Sequence, residues 1–258
     1  MTYIDYHVHT NYSADSNADI DKYILKAKDL GLEYILFTDH MDFGLSDPSF
    51  KDIDFDKYFS HMKDLEEKHG LEIKIGIEIG YERNHKGQIE EFLSKYNFHF
   101  IIASIHSGQG LDFYNGDFFH GKSKEKAYDE YFQLVLDMVK NFDNYDVLGH
   151  LDYIVRYGPY SDKFYEYNGY KEIIDAILNQ VIKNNKGIEV NTSGLRQGQG
   201  VTFPKNEVLA RYKELGGKIV SLGSDAHFNQ DYQADFDQVE KILNEIGLKI
   251  INNDKYFK

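Results

Sequence analysis

Short apolar runs recur along this chain, and each is followed or closed by a side chain of the kind that binds metals. IDYHVHT carries His7 and His9, and YILFTDH ends on His40. IKIGIEIG contains Glu78, IIASIHS carries His106, VLGHLD carries His150, and IVSLGSDAH closes on Asp225 and His227. Helix-like segments separate the runs, with a glycine often closing a helix just before the next run, as in KHGLEIKIG and LGGKIVSLG. Glycine after a helix supplies the left-handed cap, and a β-branched run behind it reads as a buried strand. The pattern predicts strands at 3–9, 34–39, 73–79, 99–106, 147–151, 187–192 and 219–224, and helices at 19–30, 55–69, 87–95, 122–142, 170–185, 205–215 and 233–246. Seven strand–helix units favour an α/β fold, a closed or distorted (β/α)7 barrel, with a doubly wound open sheet as the alternative. The barrel places its chemistry at the C-terminal strand ends, where these side chains fall. An open sheet would scatter them beyond a single crevice.

Within helix 122–142, Tyr128, Tyr131, Phe132, Val135, Met138 and Val139 form a helical stripe, which reads as core packing. The 258 residues, 41% hydrophobic and 15% aromatic, suffice for one large core, and one domain over 1–258 is expected. No apolar stretch reaches the roughly 18 to 20 residues that span a bilayer. The beginning, MTYIDYHVHT, has neither a basic region nor an apolar signal core, so a cytoplasmic location is expected. A formal charge of −14 repels nucleic acid and anionic membranes, leaving a small molecule as the expected partner; nothing in the sequence fixes an oligomeric state. Cysteine is absent, which excludes thiolate sites and disulfides. Metals must then be held by nitrogen and oxygen, a set that suits zinc, manganese or iron.

His7 and His9, two apart on a strand, share one face. Asp15, in the following NYSADS loop, is within reach of the same mouth. Asp39, beside His40, is placed to orient an imidazole as an outer acceptor. Glu78 sits in an otherwise apolar strand, where an unpaired charge is costly; a carboxylate bridging two cations resolves that cost. Glu82 is the competing choice, further into the loop. Asp225 and His227 repeat the two-residue spacing. The other histidines, His61, His69, His85, His99 and His120, read as structural or solvated.

Taken together, HVHT, TDH, the internal IE, SIHS, GHLD and GSDAH resemble the PHP (polymerase and histidinol phosphatase) superfamily, over residues 7 to 227. The size is most similar to its stand-alone histidinol-phosphate phosphatases. The resemblance implies a distorted (β/α)7 barrel holding three divalent ions. His7, His9, Glu78 and Asp225 would hold the first. Glu78 would bridge to the second, held also by His106 and His150. Asp15, His40 and His227 would hold the third.

Of four arginines, Arg83, Arg156 and Arg196 follow ligand-bearing or adjacent strands, whereas Arg211 lies on a helix. Guanidinium groups grip phosphate as a planar, permanently charged fork, so Arg156 and Arg196 are the favoured phosphate ligands, ahead of Arg83, with Ser107 as a hydrogen-bond donor and Asn191 as a polar lining residue. SGLRQGQG lacks the GK[ST] ending of a P-loop. The expected reaction is metal-assisted hydrolysis of a phosphate monoester, in which cations acidify the attacking water. His227, Asp152 or a water on the metal is the candidate proton donor, and Asp225 completes the catalytic set. The resemblance makes L-histidinol phosphate the leading substrate. Asp112, Phe113, Tyr114, Asp117 and Tyr160 are loop residues available to an imidazole and an ammonium group. Alternatives are a PHP-type phosphodiesterase or exonuclease, another small-molecule phosphatase, an amidohydrolase-like enzyme on a related barrel, and a non-catalytic binding module.

Overall fold

The computed structural model describes residues 3–44 and 53–252. Its strands are β1 (Tyr34–Phe37), β2 (His40–Asp42), β3 (Glu72–Ile75), β4 (Ile77–Gly80), β5 (Ile101–Ser104), β6 (Ser107–Gly108), β7 (Leu111–Asp112), β8 (Val147–Leu148), β9 (Gly187–Asn191) and β10 (Val220–Gly223). The α-helices are α1 (Ile20–Asp29), α2 (Phe55–His69), α3 (Lys86–Lys95), α4 (Lys124–Asn141), α5 (Ile154–Tyr157), α6 (Tyr167–Lys183), α7 (Ser193–Arg196), α8 (Asn206–Glu214) and α9 (Phe236–Ile246).

Parallel pairing runs β10-β9-β8-β5-β4-β2, and β1 pairs with β3. Because β1 leads into β2 and β3 into β4, these two pairs are one pair of strands interrupted midway. The interruption falls at Gly76, where a Cβ would lie 2.7 Å from Phe100 O and 2.9 Å from Thr38 Cγ2. The expected strand 3–9 is an extended segment without a regular ladder. Its backbone still joins both neighbours: Tyr6 N donates to Leu222 O at 2.9 Å, Asp225 N to His7 O at 2.8 Å, and Thr38 N to Val8 O at 2.8 Å. Side chains take over the other ladder positions. Asp5 accepts from His7 N and Ser224 N, and Thr38 Oγ1 accepts from Val8 N. The parallel segments thus close into a ring, the distorted barrel the sequence implies.

Strands β1, β4, β5, β9 and β10 are buried along their whole length, as parallel strands covered by helices must be. The helices start and stop where local chemistry dictates. Asp19, Asp54 and Ser123 cap the N-termini of α1, α2 and α4 by accepting backbone N–H groups. Gly70, with φ of 62°, ends α2. The whole apolar stripe expected on 122–142 is buried on α4. The short α5 and α7 were not expected; each turns immediately beyond a strand end, and they carry Arg156 and Arg196. Among the described residues, no helix is long and apolar enough to cross a membrane.

Candidate metal centre

The two oxygens of Glu78 organise the centre. Glu78 is fully buried on β4. Its Oε2 faces His7 Nε2 at 3.1 Å, His9 Nε2 at 3.5 Å and His40 Nδ1 at 2.9 Å. Its Oε1 faces His150 Nε2 at 2.9 Å and His106 Nε2 at 3.2 Å, and accepts from Ser104 Oγ at 2.7 Å. One carboxylate therefore looks into two separate sets of imidazoles. Asp225 Oδ1 adds to the first set, 3.4 Å from His9 Nε2 and 3.8 Å from His7 Nε2. Asp225 adopts a left-handed φ of 53°, a conformation seldom held by a non-glycine residue and concentrated at functional sites. On the solvent side of these sets, Asp15 Oδ2 lies 3.1 Å from His227 Nε2 and 3.6 Å from His40 Nε2. The rings of His40 and His227 stack on His9 with centroids 4.1 and 4.2 Å away.

Hydrogen bonding alone does not satisfy this cluster. His7 Nε2, His9 Nε2, His40 Nδ1 and Glu78 Oε2 are buried without a hydrogen-bond partner, although such atoms ordinarily have one. The nitrogens of His7 and His9 converging with Glu78 Oε2 without hydrogen-bond geometry fit a divalent cation held by imidazole and carboxylate. Among the described residues, four groupings have donor atoms close enough to share an ion: His7–His9–Glu78, Glu78–His106–His150, His9–His40–His227 and His40–Asp42–His106. The electrostatics agree. Burial disfavours the Glu78 carboxylate, yet His7, His106 and His40 outweigh it and hold Glu78 well below the usual carboxylate range. Burial likewise opposes protonation of His7, but Glu78, Glu189 and Asp225 raise it well above the usual imidazole value. That is the signature of a strongly negative field at its nitrogens. His9 goes the other way, held low by burial and then by the neighbouring His40 and His227; its lone pair is free for a metal, since ligating imidazoles must be deprotonated.

Above the cluster opens a cavity of about 350 Å³. Asp15, His40, His106, Asp225 and His227 reach it from the floor. Arg156, Tyr153, Tyr157, Asp112, Tyr114, Phe228 and Asp231 line its walls. Arg156 Nη1 donates to Asp225 Oδ2 at 3.2 Å, with its guanidinium 5.5 and 5.3 Å from the ring centroids of Tyr153 and Tyr157. Tyr153 in turn stacks on His150 at 4.2 Å.

Other residues expected at the site lie elsewhere. Arg196 is not on the cavity wall. Its guanidinium donates to the carbonyls of Ser224 and Asp225 and pairs with Asp231 at 3.5 Å, because α7 places it behind the turn that carries Asp225. Arg83 is 66% exposed and pairs with Asp137 of α4 at 2.5 Å. Ser107 is buried in the β6–β7 hairpin and donates to Glu82 at 3.4 Å. Asp152 is buried away from the cavity and accepts from Tyr165 OH at 2.9 Å and Lys205 N at 3.1 Å; burial pushes its pKa up to about 6. Asn191 bonds within its own turn, to Ser193. Phe113 is core, and Tyr160 OH donates to Lys122 O. Asp39 contacts no imidazole directly. It accepts from Thr10, Ser13 and Tyr58, and reaches His9 only through Ser13 Oγ, 3.2 Å from His9 Nδ1.

Two carboxylates beside the imidazoles were not singled out from sequence. Asp42 Oδ1 lies 2.7 Å from His106 Nδ1, and Glu189 Oε1 lies 2.6 Å from His7 Nδ1. A signal for each was present as a glycine in a strand. A Cβ at Gly80 would overlap the Asp42 carboxylate, and one at Gly223 would overlap that of Glu189.

A family model described as the PHP domain matches residues 5–193. The chain belongs to the PHP family. A histidinol-phosphatase from Lactococcus lactis subsp. lactis is 38% identical over 230 residues, 88% of this chain and 85% of that protein. A crystal structure of histidinol phosphate phosphatase from Lactococcus lactis subsp. lactis, complexed with zinc, L-histidinol and phosphate, superposes with a TM-score of 0.89 at 33% identity. That alignment covers 100% of this PHP chain and 99% of the other. A Listeria monocytogenes structure at 22% identity shares the fold, with a TM-score of 0.78 over 91% of this chain.

Proposed function

We propose that this PHP protein is a histidinol-phosphatase, hydrolysing L-histidinol phosphate to L-histidinol and phosphate, the monoester-cleavage step of histidine biosynthesis. The observation that carries the reading is Glu78 facing two imidazole sets at the base of a cavity whose wall holds Arg156. The likeness to a relative that binds zinc, L-histidinol and phosphate supports the substrate.

His7, His9, Glu78 and Asp225 would hold one divalent ion, Glu78, His106 and His150 a second, and Asp15, His40 and His227 a third, with zinc, manganese and iron as the candidates. Such ions, when bound, supply Lewis acidity towards a phosphoryl oxygen and acidify water. The chain's own residues bind and orient. Arg156 presents its guanidinium to a phosphoryl oxygen, held by Asp225 and braced against Tyr153 and Tyr157; a charged donor fixed in place before reaction stabilises the charge that builds in the transition state. Arg196 acts indirectly, fixing the backbone of Ser224 and Asp225 and so the carboxylate that Arg156 grips. His227 Nε2, beside Asp15 at the cavity surface, would face the third ion and so carries no proton to give, and Asp152 lies outside the cavity, so the departing alkoxide takes its proton from water. Asp112 is mostly buried in the wall, accepts from Tyr114 N at 2.5 Å, and is placed to receive an ammonium group. The exposed ring of Tyr114 stands beside it for an imidazole.

A kinetic screen of phosphate monoesters, with metal analysis of the same sample, tests the reading. L-histidinol phosphate should give the highest kcat/KM, with diesters turned over poorly. A preference for diesters, or full activity in protein free of metal, overturns it.

A further inference from the structure

Behind the imidazoles, on the side away from the cavity, lies a carboxylate with no part in the reading above. Glu189 on β9 is 1% exposed, between the fully buried Ile188 and Val190. Its Oε1 accepts from His7 Nδ1 at 2.6 Å. Its Oε2 accepts from the backbone N–H of His150 at 2.8 Å and from Asn191 Nδ2 at 3.3 Å. Gly223 leaves the room for it: a Cβ there would overlap Oε1 and lie 2.6 Å from His7 Cβ. A buried carboxylate is costly unless its oxygens are satisfied, and here both are, by groups belonging to two different ligand strands. An ionised carboxylate only accepts, so the contact places the proton of a neutral His7 ring on Nδ1. The Nε2 lone pair then points at Glu78 Oε2, 3.1 Å away.

We propose that Glu189 is a positioning residue that couples two ions of the centre. It fixes the tautomer and ring orientation of His7 in the first set and, through the His150 N–H, the strand end that carries His150 in the second. Glu78 joins the two sets from the inside, and Glu189 joins them from the outside. This rests on His7 and His150 being ligands, as proposed above. A purely structural Glu189 would affect only the melting of the chain. A coupling Glu189 sets how tightly ions are held, since outer partners of ligating histidines are worth about 10- to 100-fold in metal affinity.

The decisive comparison is zinc binding by the full chain and by Glu189→Gln, measured by competition with a chelator and by zinc content after dialysis. A carboxamide keeps one acceptor oxygen in place of two, so either the His7 contact or the contacts from His150 N and Asn191 Nδ2 are lost. The expected result is zinc held about 10- to 100-fold more weakly, with more than one equivalent lost on dialysis. The Nδ1–H signal of His7 should move in nitrogen-resolved NMR spectra. Glu189→Asp, which keeps the charge but draws both oxygens back by one methylene, should weaken zinc in the same direction and decides the question where Glu189→Gln does not fold. Zinc affinity and a His7 signal equal to wild type, in whichever variant folds, overturn the coupling role alone. A wild-type chain that binds no zinc overturns the ligand assignments together with it.

Discussion

The floor of the cavity and its mouth are built on opposite terms. Directly under the floor, His7, His9 and Glu78 are fully buried and His150 is 2% exposed. Glu78 stands on β4, His150 just past the end of β8, and His7 and His9 on the extended segment 3–9, and each is held by a hydrogen bond of its side chain or backbone. At the mouth, Tyr114 is 74% and Phe228 54% exposed, and both stand on loops. The floor has almost no freedom, so a change there removes an interaction that nothing nearby replaces. The mouth faces water, which replaces most of what a substitution removes. The contrast assigns chemistry to the floor and choice of substrate to the mouth, and it ranks the effects of mutation.

The largest effect should follow from Glu78→Ala, which takes the shared oxygen from both imidazole sets at once. Turnover of L-histidinol phosphate should fall by more than the roughly 10²- to 10³-fold that one lost electrostatic group costs. His7→Ala should behave alike. In both variants, circular dichroism should still report the barrel, whose closure runs through backbone hydrogen bonds. Activity within tenfold of wild type in either variant would break the distinction between floor and mouth. Adding zinc should raise the wild-type Tm, because a ligand at 100 times its Kd stabilises by about 2.7 kcal/mol. For Glu78→Ala, the shift at equal zinc should shrink or vanish.

Arg156 stands between the two regions, with its charge on Asp225 and its flanks on tyrosines. Arg156→Ala should lower kcat/KM by about 10²-fold, and Arg156→Lys should restore little of it, since a point charge does not reproduce the planar fork. Arg196→Ala should cost less, about tenfold, and should appear in kcat as well as KM because it acts through the Asp225 turn. A pure KM effect would instead place Arg196 on the substrate.

This gradient also governs what could be read from the sequence. The floor was legible because burial writes itself into sequence: a histidine or carboxylate closing an apolar run stands out against its neighbours, as Glu78 does between Ile77 and Ile79. The ring was legible from the same runs and their glycine stops. Segment 3–9 reads as a regular strand in sequence, but Asp5 and Thr38 replace ladder bonds with side-chain bonds, which hydrophobic pattern does not record. Asp42 and Glu189 escaped notice because each is one acidic residue among the 43 aspartates and glutamates; what distinguishes them is contact with a ring from a distant part of the chain. Arg196 sits at a strand end as expected, but the short turn of α7 aims it at carbonyls, and sequence spacing does not give that direction. The mouth was hardest. Tyr114 is one of several loop aromatics, yet Phe113 beside it is core, and alternation in an irregular loop does not say which ring faces the cavity.

The smallest effect should therefore be the most informative about specificity. An aromatic contact of this kind contributes about 0.5–1.5 kcal/mol beyond area burial, which corresponds to roughly two- to twelvefold in affinity. Tyr114→Ala should raise KM for L-histidinol phosphate within that range and leave kcat nearly unchanged, because the ring lies outside the imidazole cluster and packs edge-on against Tyr157, 5.7 Å away. The comparison that matters uses a second phosphate monoester with no aromatic ring. If the mouth selects substrate, Tyr114→Ala should leave the KM of that ester unchanged and narrow the preference between the two. Equal shifts for both esters would mean that Tyr114 shapes the cavity for any phosphate, and selection would then have to reside deeper, beside Asp112 and Arg156.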